Sequence, residues 1–144
     1  VVMPRYYGLI LPTEPDSFWD FSKYRPHAVI VNLGTNDFHP TDPGPIFVER
    51  YVAFLGQLRG HHPTARFYVA LGTMLQGAEY ARAKEHFVRV IAARAAVGDT
   101  AIGFIEFAPI RPEEGLGCQW HPSAATQARM AETLVARLRA DLGW

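Results

Sequence analysis

Three short runs, Ala28 to Leu33, Phe67 to Leu71 and Ile102 to Phe107, read as strands that are apolar on both faces. A strand buried on one face alternates apolar and polar residues. One that is apolar on both is how a parallel sheet covered by helices on each side appears in sequence. The intervening segments carry a helical period, which is the pattern of βαβ units. Phe47, Tyr51, Phe54, Leu55 and Leu58 recur at helical spacing before Gly60 and Pro63. Tyr80, Ala83, Phe87, Val90 and Ile91 do the same before Gly98. Pro122-Ser123 opens a last helix whose expected inward stripe is Ala128, Ala131, Val135, Leu138 and Leu142. An α/β fold with a parallel sheet follows.

Three strands are few for such a sheet. If Ala28 to Leu33 lies at an edge, its open hydrogen bonds and apolar side chains need a partner. Tyr6 to Leu11 is a candidate, but Pro4 and Pro12 bracket it closely. The expectation is that the partner strand belongs to polypeptide outside this chain. The start fits that expectation, since Val1-Val2-Met3-Pro4-Arg5 begins inside an apolar segment without an initiator Met and without a signal-peptide pattern.

The first run breaks abruptly into Gly34-Thr35-Asn36-Asp37. In open α/β sheets ligands bind outside the carboxyl ends of the strands, so an amide and a carboxylate there point to chemistry. The same residues also form ordinary tight turns, and this segment alone does not separate the two readings. A second polar cluster, Gly117-Cys118-Gln119-Trp120-His121-Pro122-Ser123, lies between the third run and the last helix, on the same rim. His121 is singled out by that position. His27, His61, His62 and His86 read as surface or core residues with structural partners.

Fourteen basic residues balance fourteen acidic ones along 144 residues, so the chain lacks the electrostatic footprint of a nucleic-acid or anionic-membrane binder. No apolar stretch is long enough to cross a bilayer. The single cysteine, Cys118, rules out an internal disulfide and leaves the compartment undecided. No metal site is expected, because adjacent His61-His62 rarely share one ion and no ligand spacing accompanies them.

Together the two clusters resemble the SGNH (GDSL-like) hydrolases, which carry a Gly-x-Asn-Asp block and a histidine before the last helix. Trp19-Asp20-Phe21-Ser22, Asn32-Leu33-Gly34-Thr35-Asn36-Asp37-Phe38 and the Gly117 to Ser123 cluster look most like the carbohydrate esterase family 2 branch. The resemblance spans about Met3 to Leu138 and covers the carboxyl-terminal part of that catalytic domain. It implies a flavodoxin-like three-layer α/β/α sandwich, here lacking its first strands. The implied activity is deacetylation of acetylated sugars or xylan in a secreted or periplasmic setting, without a cofactor. His121 would be the general base and Asn36 an oxyanion donor, with Gly34 shaping the turn beneath them. Thr35, Asp37 and Trp120 would line the substrate side, Asp37 mainly as a brace. The implied partners are an acetylated carbohydrate and a complementary amino-terminal segment carrying the serine.

Two departures stand out. No Gly-Asp-Ser block is present, and Ser17, Ser22 and Ser123 do not follow apolar strands. Three residues before His121, where the wider superfamily has Asp, the chain has Cys118. In family 2 a main-chain carbonyl often holds the histidine instead, and Glu106 is the less favoured substitute. Phe18, Trp19 and Phe21 read as packing, Met74 as core filler and Trp144 as a helix cap. A thiol enzyme built on Cys118 and His121, and a non-catalytic binding half-domain, are the competing readings.

Overall fold

A computed structural model describes residues 3–144. The chain runs α1 (Met3–Tyr6), β1 (Ala28–Val31), α2 (Pro45–His61), β2 (Arg66–Leu71), α3 (Gly77–Ala96), β3 (Ile102–Glu106) and α4 (Ala124–Leu142). The strands are all parallel and lie in the order β1-β2-β3, with Val29 opposite Phe67 and Phe67 opposite Ile102. All three expected strands are present, with ends that move by one or two residues.

Alternation along each strand divides the core into two layers. Val31, Phe67, Val69, Leu71 and Ile102 face α2 and α3, where Phe47, Tyr51, Phe54, Leu55, Phe87 and Val90 meet them. Tyr68, Ala70, Ile105 and Phe107 face α4. This is the three-layer α/β/α sandwich. A fully buried Leu55 or Phe87 contributes roughly 1.5–3 kcal/mol through area removed from water. Pro45 at the first turn suits α2, because its fixed φ fits and its missing N–H costs nothing there. Gly60 lies inside α2, and Pro63 follows the end of the helix.

The last helix corrects the expected stripe. Thr126, Met130, Leu134 and Leu138 turn inward, whereas Ala128, Ala131 and Val135 are exposed. Two rows of α4 have the same period, and polar contacts choose between them. Arg129 and Arg137 point inward to main-chain carbonyls, Arg137 donating to Phe104 O at 3.1 Å. Gly103 makes room for that arginine, since a Cβ there would stand 2.7 Å from Arg137 Nη2. Gly143, with φ +71°, caps α4 through its N–H to Arg139 O. Trp144 is not the cap; it is exposed and meets His27 edge-on.

Among the described residues β1 pairs with β2 alone. Tyr6 to Leu11 does not pair with it. Leu9 instead bridges Phe18, and Ile10 N–H donates to Ser17 O at 2.6 Å. Ile30 is left 37% exposed on β1. Tyr7 and Phe21 anchor this segment on the end of α2, Tyr7 bonding His62 Nε2 at 2.8 Å and Phe21 stacking on His61 at 3.8 Å. Phe18 and Trp19, read as packing, are exposed at 70% and 43%, because the bridge turns them outward. No helix among the described residues is long and apolar enough to cross a membrane.

Candidate active site

Parallel strands bring their carboxyl ends to one rim, so the segments after β1, β2 and β3 emerge together. After β1 the chain turns at Gly34, whose φ of +118° is left-handed. A Cβ there would lie 2.9 Å from Phe87 Cζ and 3.2 Å from Phe47 Cζ, so both backbone and space demand glycine. Thr35–Asp37 forms one 3₁₀ turn, closed by Asp37 N–H to Gly34 O at 2.9 Å. Phe38 then plugs the core, fully buried against Phe47, His86 and Phe87. Asp42 bonds His86 Nε2 at 3.2 Å and pins the far end of the segment to α3. Between these anchors Asn36 and Asp37 are exposed and Thr35 is half-buried.

The three rim segments touch. A Cβ on Gly72 would stand 3.0 Å from Asn32 Oδ1 and 3.6 Å from Thr35 Oγ1, so β1 and β2 leave the sheet side by side. Buried Thr73 accepts from Ile110 N–H at 3.1 Å and donates to Met130 Sδ at 3.8 Å, tying the rim to the third segment and to α4. Met74, expected in the core, is 37% exposed on this rim because β2 has already ended.

The third segment is held by a network that sequence reading missed. Arg129 donates to Ala108 O and Pro109 O at its start, and to Glu114 Oε1 at 2.6 Å. Glu114 also accepts from Thr126 Oγ1 at 2.8 Å and from Arg111 N–H. Hydrogen bonding from Arg129 first, then from Thr126 and the Arg111 N–H, pulls the Glu114 carboxyl down to about 2. No local pattern marks this pairing, since its partners are fifteen residues apart.

Beyond Glu114 a bridge between Leu116 and Pro122, with Gly117 N–H to His121 O at 2.7 Å, closes a small loop. Gln119 and Trp120 adopt φ of +50° and +66° within it, a conformation that two consecutive non-glycine residues rarely hold. The loop carbonyls therefore converge on the following imidazole. His121 Nδ1 lies 3.2 Å from Cys118 O and 3.0 Å from Gln119 O. Carbonyls only accept, so Nδ1 carries a hydrogen, which in the neutral ring leaves the lone pair on Nε2. The Cys118 side chain is exposed; its contribution to His121 is its main-chain oxygen. Glu106 is committed elsewhere, to the Tyr80 hydroxyl and Lys84 Nζ, each at 2.8 Å. Trp120 is 78% exposed beside His121.

The parallel α/β sandwich, with its polar turn after β1 and its loop before α4, is the frame of a class of acyl hydrolases. The chain belongs to the GDSL-like Lipase/Acylhydrolase family, whose profile matches residues 9–129. Within it, the relatives are family 2 carbohydrate esterases. The chain is 37% identical over 127 residues to the Cellulase/esterase CelE of Acetivibrio thermocellus, covering 88% of this chain and 16% of that protein. It is 27% identical to an Acetylxylan esterase / glucomannan deacetylase of Cellvibrio japonicus, over 99% of this chain and 38% of that one. The structure of a family two carbohydrate esterase from Clostridium thermocellum in complex with cellohexaose matches with a TM-score of 0.92 and 36% identity. That match covers 100% of this chain and 44% of the other, so the chain spans less than half the length of these relatives.

Proposed function

We propose that residues 1–144 form the carboxyl-terminal part of one catalytic domain that removes acetyl groups from carbohydrate. In this reading the chain supplies the base and an oxyanion donor, while the nucleophilic serine sits on a segment that adds a strand to the open edge of β1. The observation that carries it is the His121 ring. Two main-chain carbonyls hold Nδ1–H, and Nε2 has no hydrogen-bond partner among the described residues.

The chemistry follows from that tautomer. Nε2 takes the serine proton as the serine oxygen bonds to the acetyl carbonyl carbon. The carbonyl electron pair moves onto oxygen, where the Asn36 side-chain amide donates to it. When the pair returns, the bond to the sugar oxygen breaks and Nε2–H protonates that oxygen. A water molecule then repeats the sequence on the acetyl-enzyme, releasing acetate and restoring the serine. Carbonyls of Cys118 and Gln119 stabilise the imidazolium in place of the usual aspartate. Gly34 supports the Asn36 turn from beneath, Thr35 and Asp37 line the substrate side with Asp37 mainly bracing the turn, and Trp120 offers an exposed indole face for a sugar ring. Cellohexaose in the related structure supports a glycan ligand for that protein, and a glycan is the substrate class proposed here.

The test is hydrolysis of an aryl acetate by the 144-residue chain alone and by the same chain joined to an upstream half bearing the serine. Only the joined protein turns over, and a serine-directed phosphonate stops it. Phosphonate-insensitive turnover by the chain alone would refute the assignment. The strong exposure of Trp120 also suits a second reading, a non-catalytic carbohydrate-binding or partner-binding half-domain. Saturable cellohexaose binding by the joined protein without any ester turnover would establish that one instead.

A further inference from the structure

Every residue from Gly115 to His121 is exposed, so no buried side chain holds the loop that presents the imidazole. The loop nevertheless contains two consecutive left-handed residues, Gln119 and Trp120, a conformation that persists only where its surroundings enforce it. Hydrogen bonds supply that enforcement, and they form a ladder. Nearest the ring, the carbonyls of Cys118 and Gln119 face Nδ1. Below them Gly117 N–H donates to His121 O at 2.7 Å, beside the bridge between Leu116 and Pro122. At the base the Thr126 hydroxyl donates to Glu114 Oε2 at 2.8 Å and joins the two ends of the loop.

The base of the ladder differs from the upper rungs in burial. Thr126 is fully buried in the first turn of α4, and the Glu114 side chain is 11% exposed where it pairs with Arg129. Water competes with the exposed rungs and is largely kept from this one, so its loss is the least readily replaced. One carboxylate also clamps the chain on both sides of the loop, accepting from Arg111 N–H before it and from Thr126 after it. The start of α4 does not need that bond. Ser123 Oγ caps the helix by accepting from Thr126 N–H, a main-chain contact independent of the Thr126 side chain.

We infer that the Glu114 and Thr126 pair is a positioning element for His121, fixing the neck of the loop so that its carbonyls keep hydrogen on Nδ1. Neither residue bonds to the imidazole; both act through the loop. That the ring so held serves as a base rests on the acyl-transfer reading above, whereas the coupling between neck and ring does not.

Long-range proton–nitrogen NMR of the histidine rings in the 144-residue chain, at about pH 8.5 and so above the ordinary histidine range, reads the tautomer directly. His121→Gln assigns the signals. Thr126→Val keeps the Ser123 cap and much of the side-chain bulk while deleting the neck bond, and it lowers the ratio of Nδ1–H to Nε2–H about fivefold. Glu114→Ala removes the acceptor and has the same effect. Thr126→Ser retains the hydroxyl and the parent ratio, although its lost methyl lowers the melting temperature. A role confined to stability predicts the opposite pattern, with falling melting temperatures and a constant ratio. A parent-like ratio in folded Thr126→Val or in Glu114→Ala, or equal shifts in Thr126→Ser and Thr126→Val, would overturn the inference. Should Thr126→Val fail to fold, Glu114→Ala at its partly exposed position decides alone. Ester turnover does not enter this measurement, so an inactive joined protein would sink the catalytic assignment and leave the tautomer result standing.

Discussion

His121 turns its Nδ1 onto the carbonyl oxygen of Gln119, 3.0 Å away, and Gln119 reaches that position only by holding left-handed backbone. Strain in the chain is thus coupled to the orientation of the imidazole. A residue that resists φ near +50° should loosen the tether as well as the fold.

Gln119→Val is therefore expected to cost about 1–3 kcal/mol relative to Gln119→Gly, because a β-branched residue is poorly accommodated where glycine is free. Urea denaturation of the two variants measures the difference. Equal midpoints would show that the loop adopts another backbone.

Gly34→Ala meets two obstacles, a φ of +118° and a phenyl carbon 2.9 Å from the new methyl. A loss of about 2–4 kcal/mol is expected from backbone strain and overpacking together. Phe87→Leu in the same chain should recover part of it by opening space, though not the backbone share. A thermal melt of the single and double variants reads both effects.

Acid should act through Glu114. Its folded carboxyl titrates at about 2, below its ordinary 4.5, so its contribution to stability is fully present above the ordinary value. That contribution is lost as pH falls from 4.5 toward 2. Arg129→Gln removes the main cause of the shift, and its melting temperature should fall less steeply with acid than that of the parent. Other carboxylates titrate in both proteins, so the difference between the two curves isolates this pair.

In the joined, serine-bearing protein, Asn36→Ala should lower kcat about 100- to 1000-fold while the melting temperature stays near that of the parent, as expected for a lost oxyanion donor. Trp120→Ala should raise KM for acetylated xylan and leave aryl acetate turnover nearly unchanged, since an aryl acetate has no sugar ring to stack. Steady-state kinetics on the two substrates distinguishes these outcomes.

Apolar runs on both faces and a helical period between them were enough to define the α/β class, the three strands and the segments that become α2 and α3. Order along the chain likewise sent the turn after β1 and the start of the segment after β3 to one rim, because parallel strands carry their following turns to the same side, and Gly72 and Thr73 meet those two segments there. Periodicity groups residues on a helix face but does not say which face meets the sheet. On α4 that choice fell to Met130 and Leu134, with Arg137 seated over Gly103. The tautomer of His121, the Arg129 and Glu114 anchor, and the exposure of Phe18, Trp19 and Met74 were settled only by packing. Each depends on distances between groups far apart in sequence or on local backbone angles, and neither leaves a periodic signature in the order of residues.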